Sequence, residues 1–275
     1  MKIMGEVIPT WVLMSAVVLA FCAGILNTTA LMGITHISAS HVTGNVSLFV
    51  VSMLSNDWLN FKLLLISIGS FWVGSVLSGA IIGSSELNIH QNYGYAMLLE
   101  VLMLCLSLWM YLLTHHFLGQ MMIAMACGLQ NSMVATYHGT VIRTTHLTGI
   151  TSDLGATVGN WLVGRRVSLR KIILHSSLWW GFFMGSISAV LLYSYIGYLS
   201  MILPITIILI AALFYHQMGK LYTQILRLVR LKLIQNQRKN AAQSLIIPNY
   251  PLKTCQNRLA CFKDLSYLVI CPNLA

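Results

Sequence analysis

Long apolar runs, most of them close to twenty residues, constrain the fold of this chain more than any other feature. A helix needs roughly 20 apolar residues to cross the hydrocarbon core of a bilayer. Only 8% of the 275 residues are charged, whereas a soluble domain carries about 25%, so the chain lacks the surface that a soluble core requires. The sequence therefore predicts an integral membrane protein, with the lipid bilayer as its main surroundings.

Two of the apolar segments are shorter and more polar than the others. Because these two either span the membrane or enter it and return, we expect an all-α, polytopic transmembrane helix bundle of six to eight helices over residues 1–217. Hydropathy alone does not decide between six and eight. The eight segments cover residues 10–32, 41–56, 61–83, 94–114, 118–138, 146–163, 171–195 and 199–217.

A seven-residue polar motif occurs once in each short segment. HVTGNVS begins at His41 and HLTGITS begins at His146. The similarity extends on either side, since AGILN aligns with CGLQN and FWVGS aligns with FFMGS. The sequence therefore predicts two homologous halves, about 10–114 and 118–217. They are parallel repeats if all eight segments span and inverted repeats if only six do.

Basic residues are concentrated in the run 165–171 and in the region from Lys220 to Lys239. Basic loops beside apolar spans mark the cytoplasmic side, so both termini are predicted to be cytoplasmic. Residues 218–240 are basic and amphipathic, which predicts a juxtamembrane helix against anionic lipid head groups. Residues 241–275 are predicted to form a poorly ordered cytoplasmic tail. These clusters account for the net charge of +10, and nucleic acid is not an expected partner.

The two stretches around the repeated motif carry a family resemblance. AGILNTTALMGITHISASHVTGNVSLF and CGLQNSMVATYHGTVIRTTHLTGITSDLG resemble the paired motifs of the YoaK family of bacterial membrane proteins of unknown function. The resemblance covers residues 11–217 and implies a multi-pass protein of the bacterial inner membrane, without an assigned reaction. Two positions depart from the family pattern: Asn27 replaces the usual Asp, and His41 replaces the usual Met.

The repeated motifs are the candidate functional site. A helix that begins near His41 leaves its first backbone N–H groups unpaired, and in a membrane such an end must be buried in protein or face a polar cavity. Ser40 and Thr145 are placed to cap the two helices, and the motif glycines would let a backbone or a ligand approach. Two helix starts that face one another would form a pocket for a small polar or anionic solute. Its predicted lining residues are Asn27, Thr43, Gly44, Asn45, Asn131, Thr148 and Gly149.

Two carboxylates inside apolar segments are candidates for ion or proton coupling. Asp153 has no acidic counterpart in the first half, and His146 or Arg143 is its expected partner. A charged Asp at the centre of a membrane helix costs about 2.5–3.5 kcal/mol on insertion scales. Asp153 with His146 is therefore the leading coupling pair, and Glu100 is a second candidate on the same grounds.

The leading functional hypothesis is a small-solute permease or secondary transporter with its site between the halves. The competing hypothesis is a non-transporting membrane scaffold or partner subunit, because small residues commonly form helix contacts and Ser or Thr often bonds to its own helix. No metal-ligand spacing, phosphate loop or catalytic triad is present in the sequence. We therefore predict no cofactor, no metal and no enzymatic activity, and the oligomeric state stays open.

Overall fold

The protein is described by a computed structural model that covers residues 10–83, 92–133, 136–137, 140–141, 144–215 and 217. The predicted all-helical class is confirmed within these residues. The helices are α1 Thr10–Met32, α2 Val42–Leu54, α3 Trp58–Ile82, α4 Tyr93–Leu112, α5 His116–Ser132, α6 Leu147–Leu162 and α7 Leu169–Ile196. A 3-10 turn, Gly197–Met201, follows α7, and helical residues resume at 202 and continue through 215, a stretch that we label α8. The predicted helix 218–240 and tail 241–275 lie outside the described residues, as does Arg143.

Four helical stretches are long and apolar enough to cross a bilayer. They are Leu13–Met32, Trp58–Ile82, Tyr93–Leu112 and Leu169–Tyr215, the last of which contains both α7 and α8. Large apolar side chains lie on their outward faces, where Trp72, Trp109 and Ile210 are 67%, 63% and 68% exposed. Exposing such area to water costs about 25 cal/mol per Å², and lipid removes that cost. The surface is therefore that of a multi-pass membrane protein.

The fifth helix is shorter than its apolar run predicts. The run extends to residue 138, but α5 ends at Ser132. Beyond it, Thr136–Tyr137 and Thr140–Val141 form an antiparallel ladder in which Thr136 pairs with Val141. The two β-branched threonines and Val141 suit a strand better than a helix, and apolarity alone cannot separate the two structures.

α1 and α7 pack along a seam where backbone meets backbone. A Cβ at Gly24 would overlap the carbonyl oxygen of Phe182, and a Cβ at Gly185 would overlap the carbonyl oxygen of Phe21. Lower in the same seam, a Cβ at Gly181 would lie 2.9 Å from the carbonyl oxygen of Val17. Residue numbers rise together along both helices, so α1 and α7 are parallel. Small residues that let helix backbones approach closely are the usual contact between membrane helices.

α3 and α5 form a second seam of the same kind. A Cβ at Gly128 would overlap the carbonyl oxygen of Phe71, and a Cβ at Gly74 would overlap that of Met125. Ser75 donates its hydroxyl to the carbonyl oxygen of Gly128 at 3.2 Å. Nearer the start of both helices, Gln120 donates to the Ser67 hydroxyl at 3.4 Å, so α3 and α5 are also parallel.

The two seams run in opposite directions. Near the start of α5, Gln120 donates to the carbonyl oxygen of Ile37, just beyond the end of α1, at 3.1 Å. Near the end of α5, Gln130 donates to the carbonyl oxygen of Leu19 inside α1 at 3.1 Å. Therefore α1 is antiparallel to α5 and, through the second seam, to α3. We call the end where α1 begins the proximal end and the other the distal end.

α4 and α8 complete the alternation. Ser107, late in α4, donates to the carbonyl oxygen of Gly119, early in α5, at 2.8 Å, so α4 is antiparallel to α5. Thr29 bonds Ser200 at 3.3 Å at the distal end of α1, and Tyr215 donates to Ser15 at 3.1 Å at its proximal end, so α8 is antiparallel to α1. The helices α1, α3, α4, α5, α7 and α8 thus alternate in direction along the chain.

α2 and α6 do not traverse the bundle. The helices before and after α2 are antiparallel and meet at the distal end, so α2 starts and finishes in the distal half. By the same reasoning α6 stays in the proximal half, between α5 and α7. Within the described residues, six helices therefore alternate in direction, and α2 and α6 each begin and end in one half of the bundle.

Candidate functional site

The distal polar cluster joins the chain before α2 to the last turns of α1. The side-chain oxygen of Asn27 accepts from the backbone N–H and the hydroxyl of Ser40, at 3.0 and 2.8 Å, and from the hydroxyl of Ser38 at 2.5 Å. Asn45, which is 3% exposed, donates to the carbonyl oxygen of Ser38 at 2.8 Å. One asparagine on α1 therefore fixes the loop that starts α2, and a second asparagine on α2 closes it.

The proximal polar cluster repeats part of this arrangement closer to the proximal end of the bundle. Asn131, at the end of α5, accepts a hydrogen bond from the hydroxyl of Thr145 at 2.8 Å. Thr145 immediately precedes the N-cap of α6, as Ser40 precedes the N-cap of α2. The sequence aligns Ser40 with Thr145 and assigns both hydroxyls to helix capping. That assignment is wrong, because both hydroxyls point at an asparagine on the preceding long helix.

The motif histidines, not the hydroxyl residues, occupy the N-cap positions. His41 caps α2 and His146 caps α6, each without a side-chain hydrogen bond to the helix. A Cβ at Gly44 would overlap the ring of His41, and a Cβ at Gly149 would overlap the ring of His146. Each motif glycine therefore makes room for its own histidine ring, which accounts for the three-residue spacing of His and Gly in both copies.

The side chains of the motif threonines are exposed rather than packed in the bundle. Thr43 and Thr148 are exposed, and the serines one turn later, Ser47 and Ser152, donate to the carbonyl oxygens of those threonines at 3.3 and 3.0 Å. Such bonds within a helix are the ordinary behaviour of membrane Ser and Thr. The bonds of Ser47 and Ser152 therefore support the competing hypothesis, in which the small polar residues of the motif serve helix structure and packing.

The two clusters lie at different heights in the bundle. Gln130, beside Asn131, reaches the level of Leu19 on α1, whereas Asn27 lies eight residues farther along the same helix. At 1.5 Å per residue, the clusters are about 12 Å apart along the helix axis. The seven predicted lining residues divide into four distal ones (Asn27, Thr43, Gly44, Asn45) and three proximal ones (Asn131, Thr148, Gly149).

The leading coupling candidate lies at the surface of the bundle. Asp153 is exposed on α6, and its electrostatic interaction is with His175 on α7. His146 instead places its ring over Gly149. His175 is only 5% exposed. The sequence does not predict its electrostatic interaction with Asp153, because the two residues belong to different segments.

Glu100, the second coupling candidate, is fully buried in α4 with 0% exposure. Neither of its carboxyl oxygens has a hydrogen-bond partner within the described part of the chain. Its electrostatic neighbours are the thiols of Cys22 on α1 and Cys127 on α5, both also at 0% exposure. Cys22 lies three residues beyond Leu19 and five before Asn27, so Glu100 lies between the levels of the two polar clusters.

Gln120 is a structural residue that sequence reasoning missed. It is fully buried near the start of α5 and accepts from Thr35 and Tyr111 at 3.2 and 3.0 Å. It also donates to the carbonyl oxygen of Ile37 and the hydroxyl of Ser67. This one amide therefore joins α3, α4, α5 and the loop after α1. A polar amide inside an apolar run was the available signal.

Apolar alternating helices, glycine seams and half-length helices define a polytopic α-helical membrane protein. Residues 15–214 match the DUF1275 family, described as proteins of unknown function. The chain belongs to this family, which is the YoaK family, so the resemblance found in its sequence is confirmed. No curated protein and no solved structure matches the chain.

Proposed function

We propose that the protein is a small-solute permease or secondary transporter of the bacterial cytoplasmic membrane, built from two inverted repeats. The observation that carries the proposal is the pair of half-length helices, α2 and α6, which lie in opposite halves of the bundle and are each tied to an asparagine. Transporters built from inverted repeats commonly bind substrate at discontinuous helices whose N-termini point into the bundle.

The contacts of the two seams support the repeat. Gly24 aligns with Gly128, and their overlaps are with Phe182 and Phe71, which also align. In the same way Gly185 aligns with Gly74. Each seam joins one helix from each half, so exchanging the halves converts the α1–α7 contact into the α5–α3 contact. Because α1 and α5 run in opposite directions, the repeats proposed are inverted.

The charged residues support an orientation for this arrangement. Arg165 and Arg166 are exposed between α6 and α7, at the proximal end, where α1 begins and α8 ends. Positive loops favour the cytoplasm, so the proposed topology has the proximal end and both termini inside. The distal end, with the α2–α3 connection around Asp57, is then periplasmic.

The separation of the clusters changes the predicted binding mode. Two helix starts about 12 Å apart along the axis cannot hold one small solute at the same time. In the proposed mechanism the distal cluster therefore meets solute from the periplasm and the proximal cluster meets it from the cytoplasm. Each offers the N-terminal N–H groups of a short helix, which attract anionic or polar groups.

Uptake by sealed proteoliposomes tests the proposal. The wild type is expected to take up at least one member of a panel of amino acids, sugars and organic anions, and the double variant Thr43→Val with Thr148→Val is expected to lose that uptake. Both threonines are exposed, so the isosteric change leaves the packed core intact. Thr206→Val, an exposed site on α8, is the matched control. Unchanged uptake of every solute in the double variant contradicts the proposal.

A scaffold or partner-subunit role is the second candidate, and the exposed faces of the short helices favour it. On α6, Ile150 is the one buried residue, while Thr148, Ser152 and Asp153 are exposed. Cysteines introduced at Ser47 and Ser152 separate the two roles. A membrane-impermeant maleimide labels both sites if they line aqueous openings, whereas labelling of neither favours a covered interface. Native Cys105, exposed among the outward apolar residues of α4, is the lipid-facing control.

A further inference from the structure

Glu100 is the most unusual side chain in the bundle. It is fully buried, and both carboxyl oxygens lack a hydrogen-bond partner within the described residues. An ionised carboxylate in such surroundings is very costly unless a cation pairs with it or the group becomes neutral. The function of the site therefore depends on whether a cation or a proton neutralises this carboxyl.

Among the described residues, no cationic partner is found at this depth. The sequences of α1, α4, α5 and α8 contain neither Lys nor Arg. Lys62 is the one basic residue of α3, and it is exposed near the distal end. A metal ion is equally unsupported, because no group of three His, Cys, Asp or Glu side chains able to hold one is found among the described residues. A proton is the remaining counter-charge.

The other titratable groups around the carboxyl are weak acids that are neutral when protonated. Cys22 faces it from α1 and Cys127 faces it from α5. On α4 itself, Tyr93 and Tyr111 lie two and three turns away, and Tyr215 of α8 is near Tyr93, with ring centroids 6.4 Å apart. None of these groups carries a positive charge, so none stabilises the ionised carboxylate of Glu100 through an ion pair.

The depth of Glu100 gives the protonated form a functional position. Cys22 lies between the level of Leu19, which Gln130 contacts, and the level of Asn27. The carboxyl therefore lies between the proximal and distal clusters, in the contact between α1 and α5. A group at this height is separated from both ends of the bundle while the helices are packed.

We propose that Glu100 is a proton-binding site, held as the neutral acid in the packed bundle, and that it carries the coupling proton of the transporter. The second half of this statement rests on the proposed function, and the first half does not. The proton is taken up and released at a carboxyl oxygen, and no other bond is made or broken. In this proposal Glu100, not Asp153, is the coupling group.

Infrared spectroscopy tests the first half. At pH 7, carboxyl groups with the ordinary pKa of about 4 are ionised, so a protonated C=O stretch reports a protected acid. We expect this band in the wild type, with a shift in D2O, and its loss in Glu100→Gln. The nearly isosteric amide keeps the fold, which thermal unfolding checks. Asp153→Asn is the matched control and should keep the band. A folded Glu100→Gln protein with an unchanged band, or a wild type without one, overturns the proposal.

Proton flux tests the second half in the same proteins. Vesicles that contain a trapped pH-sensitive dye are given the solute panel, and the wild type is expected to acidify or alkalinise the lumen while Glu100→Gln does not. Solute-driven flux that persists in Glu100→Gln overturns the coupling role. An infrared band without solute uptake supports the proton site and contradicts the transporter, so the two failures are distinguishable.

Discussion

Gly74 and Gly79 lie on the same helix, α3, but differ in what surrounds them. A Cβ at Gly74 would overlap the carbonyl oxygen of Met125 and lie 2.8 Å from its carbonyl carbon, whereas a Cβ at Gly79 would have nothing within 4 Å. Both positions are inside the helix, where replacing Gly by Ala gains about 0.8–1 kcal/mol of helix propensity. The two alanine substitutions therefore differ mainly in their effect on the α3–α5 seam.

The obstruction at Gly74 is backbone, so Gly74→Ala forces α3 and α5 apart. Overpacking of this kind costs about 1–3 kcal/mol. Separation also weakens the 3.2 Å bond from Ser75 to Gly128, which contributes about 1 kcal/mol. After the propensity gain, Gly74→Ala should lose about 1–3 kcal/mol, while Gly79→Ala gains up to about 1. For a chain of this size, each kcal/mol shifts the unfolding temperature by about 2–4 °C, so the variants should differ by roughly 4–16 °C.

Thermal unfolding in detergent measures this difference. In a background where Cys105, Cys255, Cys261 and Cys271 are replaced by serine, a dye that fluoresces on reaction with thiols reports the exposure of Cys22 and Cys127, both fully buried in the folded protein. Gly185→Ala repeats the test in the α1–α7 seam, where a Cβ would overlap the carbonyl oxygen of Phe21. Equal midpoints for Gly74→Ala and Gly79→Ala would refute the backbone-to-backbone seam.

Three further predictions use the same unfolding assay. Asn27→Ala should lower the midpoint more than Asn131→Ala, because the first amide accepts three hydrogen bonds and the second accepts one; equal losses would contradict the anchoring role. Gln120→Leu should destabilise by about 1–3 kcal/mol, since it leaves buried partners unsatisfied, and a neutral result would show that the amide is dispensable. Gly44→Ala should be less stabilising than Gly155→Ala, because its Cβ would force the His41 ring to turn away, whereas a Cβ at Gly155 has nothing within 4 Å; equal midpoints would contradict the His–Gly spacing argument.

The sequence predicted much of the helical layout because lipid imposes a simple rule on length and polarity. The first span, 10–32, coincides with α1, and the fourth, 94–114, is within two residues of α4. The sequence could not decide whether α2 crosses the membrane. That answer depends on Gln120 and Gln130, whose contacts with α1 establish its direction relative to α5, and such long-range pairs leave no periodic signal.

The candidate site was predicted less well, for a local physical reason. The aligned motifs place Asn27 and Asn131 in the candidate site, and the structure bonds each to a hydroxyl of the loop that follows its helix. The ring of His41, however, occupies the space above Gly44 that the sequence assigns to a ligand. Composition does not reveal where a side chain points. Asp153 ranks above Glu100 in the sequence because it has no acidic counterpart in the first half. The two carboxyls have similar depth in their apolar segments, and only packing distinguishes the buried one from the exposed one.

The contacts around Glu100 restrict how it could exchange its proton. The seams join α1 to α7 and α3 to α5 through backbone atoms, and such close packing cannot slide without large overlaps. Between the seams, α1 meets α5 through the bond from Gln130 to Leu19 and through side chains such as Leu26, Ile123 and the two thiols. This side-chain contact is less restrictive than the seams. We therefore expect a movement that brings water to Glu100 to part α1 from α5 and to leave the two seams intact, with each parallel pair moving as a unit.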